Sequence, residues 1–263
     1  MIHLVQLGTV EYSTALELQR TVVELRHQQR IGDALLLLEH PAVITFGRNA
    51  SESNLLASRE TLQQRGVEVF ETNRGGDVTL HAPGQLVGYP IFDLRGFTPR
   101  LGAIDYVRRI EEVLIRTCGD VNVVCERVAG STGVWTQADP PKKIAAIGVH
   151  ISRGITSHGF ALNVTTDLEL FDLIVPCGIR DKGVTSIARE LPPGRAMPTV
   201  EELGNRVSAN FGRVFGEQIL WCETLEVLMK SGQKEHEREQ PEDLASNPPE
   251  ELRRMRNEDF HSA

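Results

Sequence analysis

Four cysteines supply the strongest nucleophiles of the chain, Cys118, Cys125, Cys177 and Cys222. None forms a Cys-x-x-Cys pair, which argues against a zinc ribbon or a thioredoxin-like redox site. Cys177 stands between Pro176 and Gly178, outside any periodic apolar pattern. Proline fixes the backbone on one side and glycine leaves room on the other, an arrangement that suits a thiol attacking a carbonyl. Residue type alone leaves core packing open as the alternative, and it favours that role for Cys118 and Cys222.

A lysine enters a strand of small and apolar residues in the stretch KKIAAIG, residues 142–148. Lys142 follows a proline pair and fits a surface lysine at a strand end. Lys143 is the better candidate for a side chain that points inward, where its ammonium would favour the thiolate of a nearby cysteine. The small residues that follow would let a ligand lie against the strand.

Two further stretches combine glycine with polar residues. The first, RGGDVTLHAPGQ at 74–85, has a glycine pair that permits close approach of a ligand, although a hairpin turn explains it equally well. It lacks the GxxxxGK[ST] pattern of a phosphate loop. His81 lies on an alternating strand, where a structural role is the more common one. The second, SHGFALNV at 157–164, places small residues on one face of a strand, which predicts either ordinary packing or the wall of an acyl channel.

The elements that must position these residues alternate between grouped strands and a few helices. Period-2 patterns predict strands near residues 2–7, 34–39, 42–46, 67–71, 78–81, 86–92, 133–136, 144–151, 159–164 and 219–222. Capping and helical periodicity predict helices over 14–29, 55–64, 98–118 and 199–215, with capping boxes at Thr14–Glu17 and Thr199–Glu202. This order predicts an α/β (mixed α+β) domain with a mixed, largely antiparallel sheet and flanking helices.

Composition narrows the class of protein. The chain has 263 residues, 40% of them hydrophobic, and a formal net charge of -8. An acidic chain argues against binding to nucleic acid or to an anionic membrane surface. The first residues lack the pattern of a signal peptide, and no apolar run approaches about 18 residues, so a cytoplasmic location is expected. Residues 1–230 are predicted to form one catalytic domain, and the charged, proline-bearing residues 231–263 a flexible or partly helical tail.

Taken together, the motifs resemble the octanoyltransferases of protein lipoylation, the lipoyl(octanoyl) transferase family. The similar pieces are RGGDVTLHAPGQLVGYPIFDL (74–94), GVWT (133–136), KKIAAIGVHI (142–151), HGFALNV (158–164), FDLIVPCGI (171–179) and VTSI (184–187). They stand in the order and spacing of that family and span most of residues 1–220. Two departures are small: Ala82 replaces a usual glycine, and Ile187 a common leucine.

The resemblance implies a fold related to biotin and lipoate protein ligases, and a reaction without cofactor or metal. Octanoyl-acyl carrier protein would acylate Cys177, with Lys143 favouring its thiolate. A lysine of a lipoyl domain, either of a 2-oxoacid dehydrogenase complex or of the glycine-cleavage H protein, would then attack the thioester. The resemblance places substrate binding at Arg74, Gly75, Gly76, Asp77, Val78, Thr79, Leu80 and His81, at Ala146, Ile147 and Gly148, and at Gly159, Phe160 and Ala161.

Two rival functions remain at this point. An ATP-dependent lipoate or biotin ligase would use the same fold without needing a nucleophilic cysteine. A non-enzymatic module that binds acyl groups or lipoyl domains would need neither cysteine nor lysine chemistry. For the acyltransferase, the tetrahedral oxyanion would need donors, and backbone N–H groups near Gly75-Gly76 or Cys177-Gly178 are the candidates. His81 would orient a neighbouring group.

Overall fold

A computed structural model describes residues 1–178, 182–222, 224 and 227–228. The predicted tail, residues 231–263, lies outside the described residues. The strands are β1 (Ile2–Thr9), β2 (Asp33–Glu39), β3 (Val43–Phe46), β4 (Glu68–Glu71), β5 (Val78–His81), β6 (Gln85–Ile91), β7 (Cys125–Val128), β8 (Ser131–Thr136), β9 (Lys143–Ser152), β10 (Ile155–Asn163) and β11 (Ile219–Trp221). The α-helices are α1 (Tyr12–His27), α2 (Arg59–Gln64), α3 (Ala103–Gly119), α4 (Ile187–Glu190) and α5 (Val200–Phe215). Short 3-10 turns cover Glu52–Asn54, Leu168–Leu173 and Pro176–Gly178.

Most of these strands form one eight-stranded sheet in the order β11-β1-β2-β6-β10-β9-β8-β7. Its pairs are antiparallel from β2 to β7, whereas β1 runs parallel to both β2 and β11. A second sheet, β4-β3-β5, has three strands, with β3 parallel to β4 and antiparallel to β5. The architecture is therefore mixed α/β with a largely antiparallel sheet, as the element order predicts.

Helices cover both faces of the large sheet. Helices α3 and α5 pack on one face, where Phe92, Tyr106 and Phe211 belong to the largest apolar cluster. Helix α1 packs on the opposite face through Ala15 and Val22. A third apolar cluster lies under the small sheet and joins it to the Leu168–Leu173 turn. Because β10 is largely buried and β9 is paired with it along most of its length, these strands can present side chains at defined positions.

Several predicted boundaries hold, and three helix starts are wrong. Helix α2, predicted from residue 55, begins at Arg59 because the Ser58 side chain caps it there. The Thr199–Glu202 capping box is present, and α5 ends at Gly216 with a φ of 72°. Helix α1 begins at Tyr12, before the predicted Thr14 cap, because the buried Tyr12 ring packs on His40 and fixes the start by tertiary contact. Helix α3 begins at Ala103, five residues after the predicted Thr98 cap. The sequence patterns also miss β7.

Among the described residues, no helix is both long enough and apolar enough to cross a bilayer. The same residues contain no group of three or more histidine, cysteine, aspartate or glutamate side chains arranged to hold a metal ion.

Candidate active site

A cavity of about 330 Å³ opens between the two sheets. The loop after β4, strand β5, the β9–β10 pair and the Pro176–Gly178 turn all contribute to its walls. The predicted nucleophile Cys177 and the predicted cation Lys143 both line it. Twelve of the predicted substrate-binding residues line the same space: Arg74, Gly75, Gly76, Asp77, Thr79, His81, Ala146, Ile147, Gly148, Gly159, Phe160 and Ala161.

The floor of the cavity consists of small residues paired across β9 and β10. Ala146 lies opposite Ala161, and Gly148 lies opposite Gly159. The Gly75 N–H donates to the Val149 carbonyl at 2.9 Å, so the glycine loop lies directly on β9. A Cβ on Gly148 would stand 2.8 Å from the Gly75 oxygen, which makes glycine necessary for this close approach.

Cys177 lies on a tight turn with unusual backbone geometry. Its φ of 54° is left-handed, a conformation that non-glycine residues seldom adopt away from functional sites. The Gly178 N–H donates to the Val175 carbonyl at 3.1 Å, and the Val175 N–H donates to the Asn54 carbonyl at 2.7 Å. Cys177 is partly exposed, whereas the other three cysteines are buried, as predicted for Cys118 and Cys222. Burial also raises the pKa of the Cys222 thiol, which leaves it unreactive.

Asp77 holds the cysteine turn against the loop that precedes β5. Its carboxylate accepts hydrogen bonds from Asn54 Nδ2 at 2.6 Å, from the Ser51 N–H at 3.2 Å and from the Val78 N–H at 2.7 Å. A Cβ on Gly178 would stand 2.6 Å from Asp77 Oδ2. The absence of that Cβ lets the turn rest on the carboxylate.

Lys143 is buried at the start of β9. Its Nζ lies 4.7 Å from the centre of the Trp135 ring, a cation–π distance. Gly133 lies two residues before Trp135 on β8, and a Cβ there would stand 3.4 Å from Lys143 Cε, so glycine leaves space for the lysine stem. None of the ion pairs found among the described residues involves Lys143. The backbone of Lys143 is tied to Gly183 and Thr185 by hydrogen bonds of 2.9 Å.

Arg74 brings a second cation to the cavity. Its guanidinium donates to the Thr45 carbonyl, the Thr45 hydroxyl and the Gly75 carbonyl. Burial lowers the pKa of Arg74, while the nearby Tyr12 and Cys177 act in the opposite direction. Arg74 and Cys177 line the same cavity.

His81 is held by a chain of side-chain amides. Its Nδ1 lies 2.8 Å from Gln85 Oε1, and Gln85 Nε2 donates to the Leu80 carbonyl and to Asn163 Oδ1. Asn163 Nδ2 in turn donates to the Thr185 carbonyl at 2.9 Å. Burial, followed by the electrostatic effect of His40, lowers the pKa of His81 well below its usual value, so the ring is neutral.

Curated proteins of the octanoyltransferase family are similar to this chain over most of its length. An octanoyltransferase from Koribacter versatilis is 58% identical over 261 residues, covering 99% of each chain. One from Acidobacterium capsulatum is 60% identical over 232 residues, covering 85% of this chain and 94% of that protein. The pattern of the lipoyl protein ligase A/B catalytic domain matches residues 11–212.

The chain belongs to the octanoyltransferase family. It is therefore an enzyme, an acyltransferase that acts in protein lipoylation, and the resemblance of its motifs is confirmed at the level of the family.

Solved structures show the same fold at much lower sequence identity. Lipoate-protein ligase A bound with ATP superposes with a TM-score of 0.69 and 14% identity, covering 91% of this chain and 95% of that one. The lipoate protein ligase of a bipartite system from Thermoplasma acidophilum gives a TM-score of 0.66 and 16% identity, covering 90% and 92%. These structures establish the lipoate ligase-like fold of this octanoyltransferase family member.

Two predicted substrate-binding residues lie elsewhere. Val78 and Leu80 are fully buried in the apolar cluster beneath the small sheet. Side chains alternate along β5, so Thr79 and His81 face the cavity while these two face away from it.

The predicted site residues did not include several that line the cavity: Tyr12, Tyr89, Gly130, Ser131, Thr132 and His158. Burial raises the pKa of Tyr12 to about 12, and the Tyr12 hydroxyl has no hydrogen-bond partner within the described part of the chain. His158 Nε2 lies 2.7 Å from Asn73 Oδ1, and burial lowers the His158 pKa to about 3. His158 stands in the quoted 158–164 stretch, so the sequence offered a signal for it. Tyr12 lies more than sixty residues before the nearest motif and offered none.

Proposed function

We propose that this enzyme transfers an octanoyl group from octanoyl-acyl carrier protein to the lipoyl-domain lysine of lipoate-dependent enzymes, through a thioester on Cys177. This is the first step of endogenous protein lipoylation. The observation that carries the proposal is that Cys177, on its left-handed turn, shares one cavity with the buried cation Lys143. The proposed acceptors are lipoyl domains of 2-oxoacid dehydrogenase complexes and the glycine-cleavage H protein.

In the first half-reaction, the Cys177 thiolate attacks the carbonyl carbon of the carrier thioester. The new C–S bond forms as the bond to the carrier sulfur breaks, and the carrier thiolate takes a proton from the Lys143 ammonium. Arg74 adds a second positive charge to the cavity that holds the nucleophile. Because one thioester replaces another, the exchange is close to isoenergetic and needs no ATP.

In the second half-reaction, the neutral amine of the acceptor lysine attacks the Cys177 thioester. The C–N bond forms, the C–S bond breaks, and the uncharged Lys143 accepts the proton that the nitrogen loses. The products are the amide, the Cys177 thiolate and the Lys143 ammonium, which restores the starting enzyme.

The small-residue floor supports an unbranched acyl chain as the cargo. The Ala146–Ala161 pair places two small side chains on the cavity wall. Burial of an eight-carbon chain on such a surface contributes on the order of 5 kcal/mol, at about 0.8 kcal/mol per methylene.

The tetrahedral oxyanion needs hydrogen-bond donors in the same cavity. The Gly75 N–H is bound to Val149 and the Gly178 N–H to Val175, so neither is free for this purpose. The two backbone groups that remain from the predicted set are the N–H groups of Gly76 and Cys177, and these are the proposed donors.

The test is octanoylation of a lipoyl domain by the full chain, with octanoyl-acyl carrier protein and without ATP. The wild-type chain is expected to transfer the group, and Cys177→Ser to transfer none. Cys222→Ala is the matched control, because Cys222 is a buried cysteine remote from the cavity lining, and it is expected to retain activity. Strict dependence on ATP would support the ligase alternative instead, and binding without turnover would support the binding module.

A further inference from the structure

The hydrogen bonds around His81 fix which of its ring nitrogens carries the proton. Gln85 Nε2 donates to a backbone carbonyl, Leu80 O, and therefore the oxygen of this amide is the atom that faces His81. Asn163 is oriented in the same way, because its Nδ2 donates to Thr185 O and its Oδ1 accepts from Gln85. Since Gln85 Oε1 can only accept, His81 Nδ1 must be the N–H donor. The neutral ring then has its lone pair on Nε2.

The Nε2 atom is available to a substrate. His81 lines the cavity that also contains Cys177 and Lys143. Among the described residues, the hydrogen bond to the His81 ring is made at Nδ1, and none is made at Nε2. The ring is fixed in place by stacking on Tyr12, with centroids 5.9 Å apart and an interplanar angle of 17°. A fixed acceptor that faces the cavity can take an N–H or O–H of a bound substrate in place of solvent.

We propose that His81 Nε2 accepts a hydrogen bond from the amine of the acceptor lysine and directs the nitrogen lone pair at the Cys177 thioester. This inference rests on the proposed function and assigns His81 to its second half-reaction. The octanoyl carbonyl offers no hydrogen for Nε2, so the first half-reaction makes no use of this contact through the acyl group.

The proton balance agrees with this role. The acceptor lysine leaves one proton in bulk water before it enters, since the Arg74 guanidinium disfavours a second cation in the cavity while Lys143 is uncharged. The neutral amine keeps two protons, and one of its N–H bonds points at His81 Nε2. After the C–N bond forms, the surplus proton on nitrogen goes to the uncharged Lys143, and sulfur leaves as the thiolate. His81 orients the amine and ends the reaction unprotonated.

Two substitutions separate the two ring nitrogens. In His81→Asn the side-chain amide can still donate to Gln85 from the position of Nδ1, but nothing replaces Nε2. In His81→Gln the longer amide reaches the position of Nε2. The full chain is first loaded with octanoyl-acyl carrier protein, and intact mass gives the acylation rate. A lipoyl domain is then added, and the loss of the octanoyl mass gives the discharge rate.

His81→Asn is expected to slow discharge by about 100-fold, the scale of a misplaced reacting group, and to leave acylation near the wild-type rate. His81→Gln is expected to recover most of the discharge rate. Hydroxylamine, a small nucleophile that needs no orientation by the enzyme, should release octanoate equally from all three proteins. Thermal unfolding shows whether His81→Asn is folded. If it is not, His81→Phe takes its place in the comparison, because it keeps the stack on Tyr12 without a ring nitrogen.

Three outcomes would overturn the inference. His81→Asn could discharge at the wild-type rate, both half-reactions could slow equally, or acylation alone could slow, in which case Nε2 binds an N–H of the pantetheine arm. A wild-type chain that never gains an octanoyl group contradicts the proposed function itself, and the two failures are therefore distinguishable.

Discussion

The ammonium of Lys143 lies over the face of the buried Trp135 ring, 4.7 Å from its centre. An aromatic face attracts a cation without offering a carboxylate to neutralise it. Under the proposed mechanism, the anion that completes the pairing is the Cys177 thiolate in the same cavity. Lys143 forms no ion pair among the described residues, so no carboxylate competes with a thiolate for its ammonium.

Replacement of Trp135 by leucine is expected to lower the rate of Cys177 acylation by about 2- to 30-fold, because the cation–π contact contributes roughly 0.5–2 kcal/mol. Trp135→Phe keeps an aromatic face and should retain most of the rate. Alkylation of Cys177 by iodoacetamide, followed by intact mass, measures the thiolate directly. Equal losses in both variants would argue that Trp135 acts through packing alone.

Gly148→Ala is expected to impair octanoyl transfer severely, since its Cβ would stand 2.8 Å from the Gly75 oxygen and displace the glycine loop from β9. Gly119→Ala is the matched control, because a Cβ there meets no atom within 4 Å. Steady-state assays on both variants check the prediction, with thermal unfolding to separate folding from function. A fully active Gly148→Ala protein would show that the loop does not need this close approach.

Asn54→Asp is expected to slow acylation about tenfold or more, because a second carboxylate would replace the amide that donates to Asp77 Oδ2 at 2.6 Å. The repulsion should displace the turn that carries Cys177. Ser53→Ala, an exposed change at the adjacent position, serves as the control. Single-turnover acylation measured by mass gives the rates. Identical rates for the two variants would remove Asn54 from the support of the nucleophile.

Stability is expected to fall as the pH drops below neutrality. Burial lowers the pKa of His40 to about 4 and that of His158 to about 3, whereas both titrate near 6.5 in an unfolded chain. Between these values the unfolded chain binds the extra protons, so each histidine lowers the free energy of unfolding by about 1.4 kcal/mol from pH 7.5 to 5.5.

Urea denaturation at the two pH values measures this change. His158→Asn, a residue that tolerates the positive φ of 55° at this position, should reduce the pH dependence by one histidine's share. A stability that is flat or rising toward pH 5.5 would contradict the assignment of neutral buried rings.

The sequence was most informative where the signal is local. The Thr199–Glu202 box predicted α5 because both of its partners lie within one helical turn. The alternation of Val78–His81 predicted β5, although it could not say which face would meet the cavity, and Val78 and Leu80 turned out to face the apolar cluster. Cys177 and Lys143 lie on separate elements, and motif order rather than spacing indicated that they meet.

The sequence patterns could not show features that depend on packing between distant parts of the chain. Helix α1 starts at Tyr12 because the ring packs among His40, Phe70 and His81, residues from three later parts of the chain. The amide chain from His81 through Gln85 to Asn163 joins β5, β6 and β10, and its directions depend on backbone carbonyls that only the fold brings together. The hydrogen-bond directions around His81 were therefore visible only in three dimensions.

The most direct test of the central claim is rapid-quench intact-mass spectrometry of the full chain mixed with octanoyl-acyl carrier protein, without ATP, followed by a lipoyl domain. The account predicts one octanoyl group on Cys177, located by peptide mapping, that forms and disappears at least as fast as overall turnover. No adduct should form on Cys177→Ser. An adduct that lipoyl domains fail to discharge, or octanoyl transfer that persists in Cys177→Ala, would contradict the account.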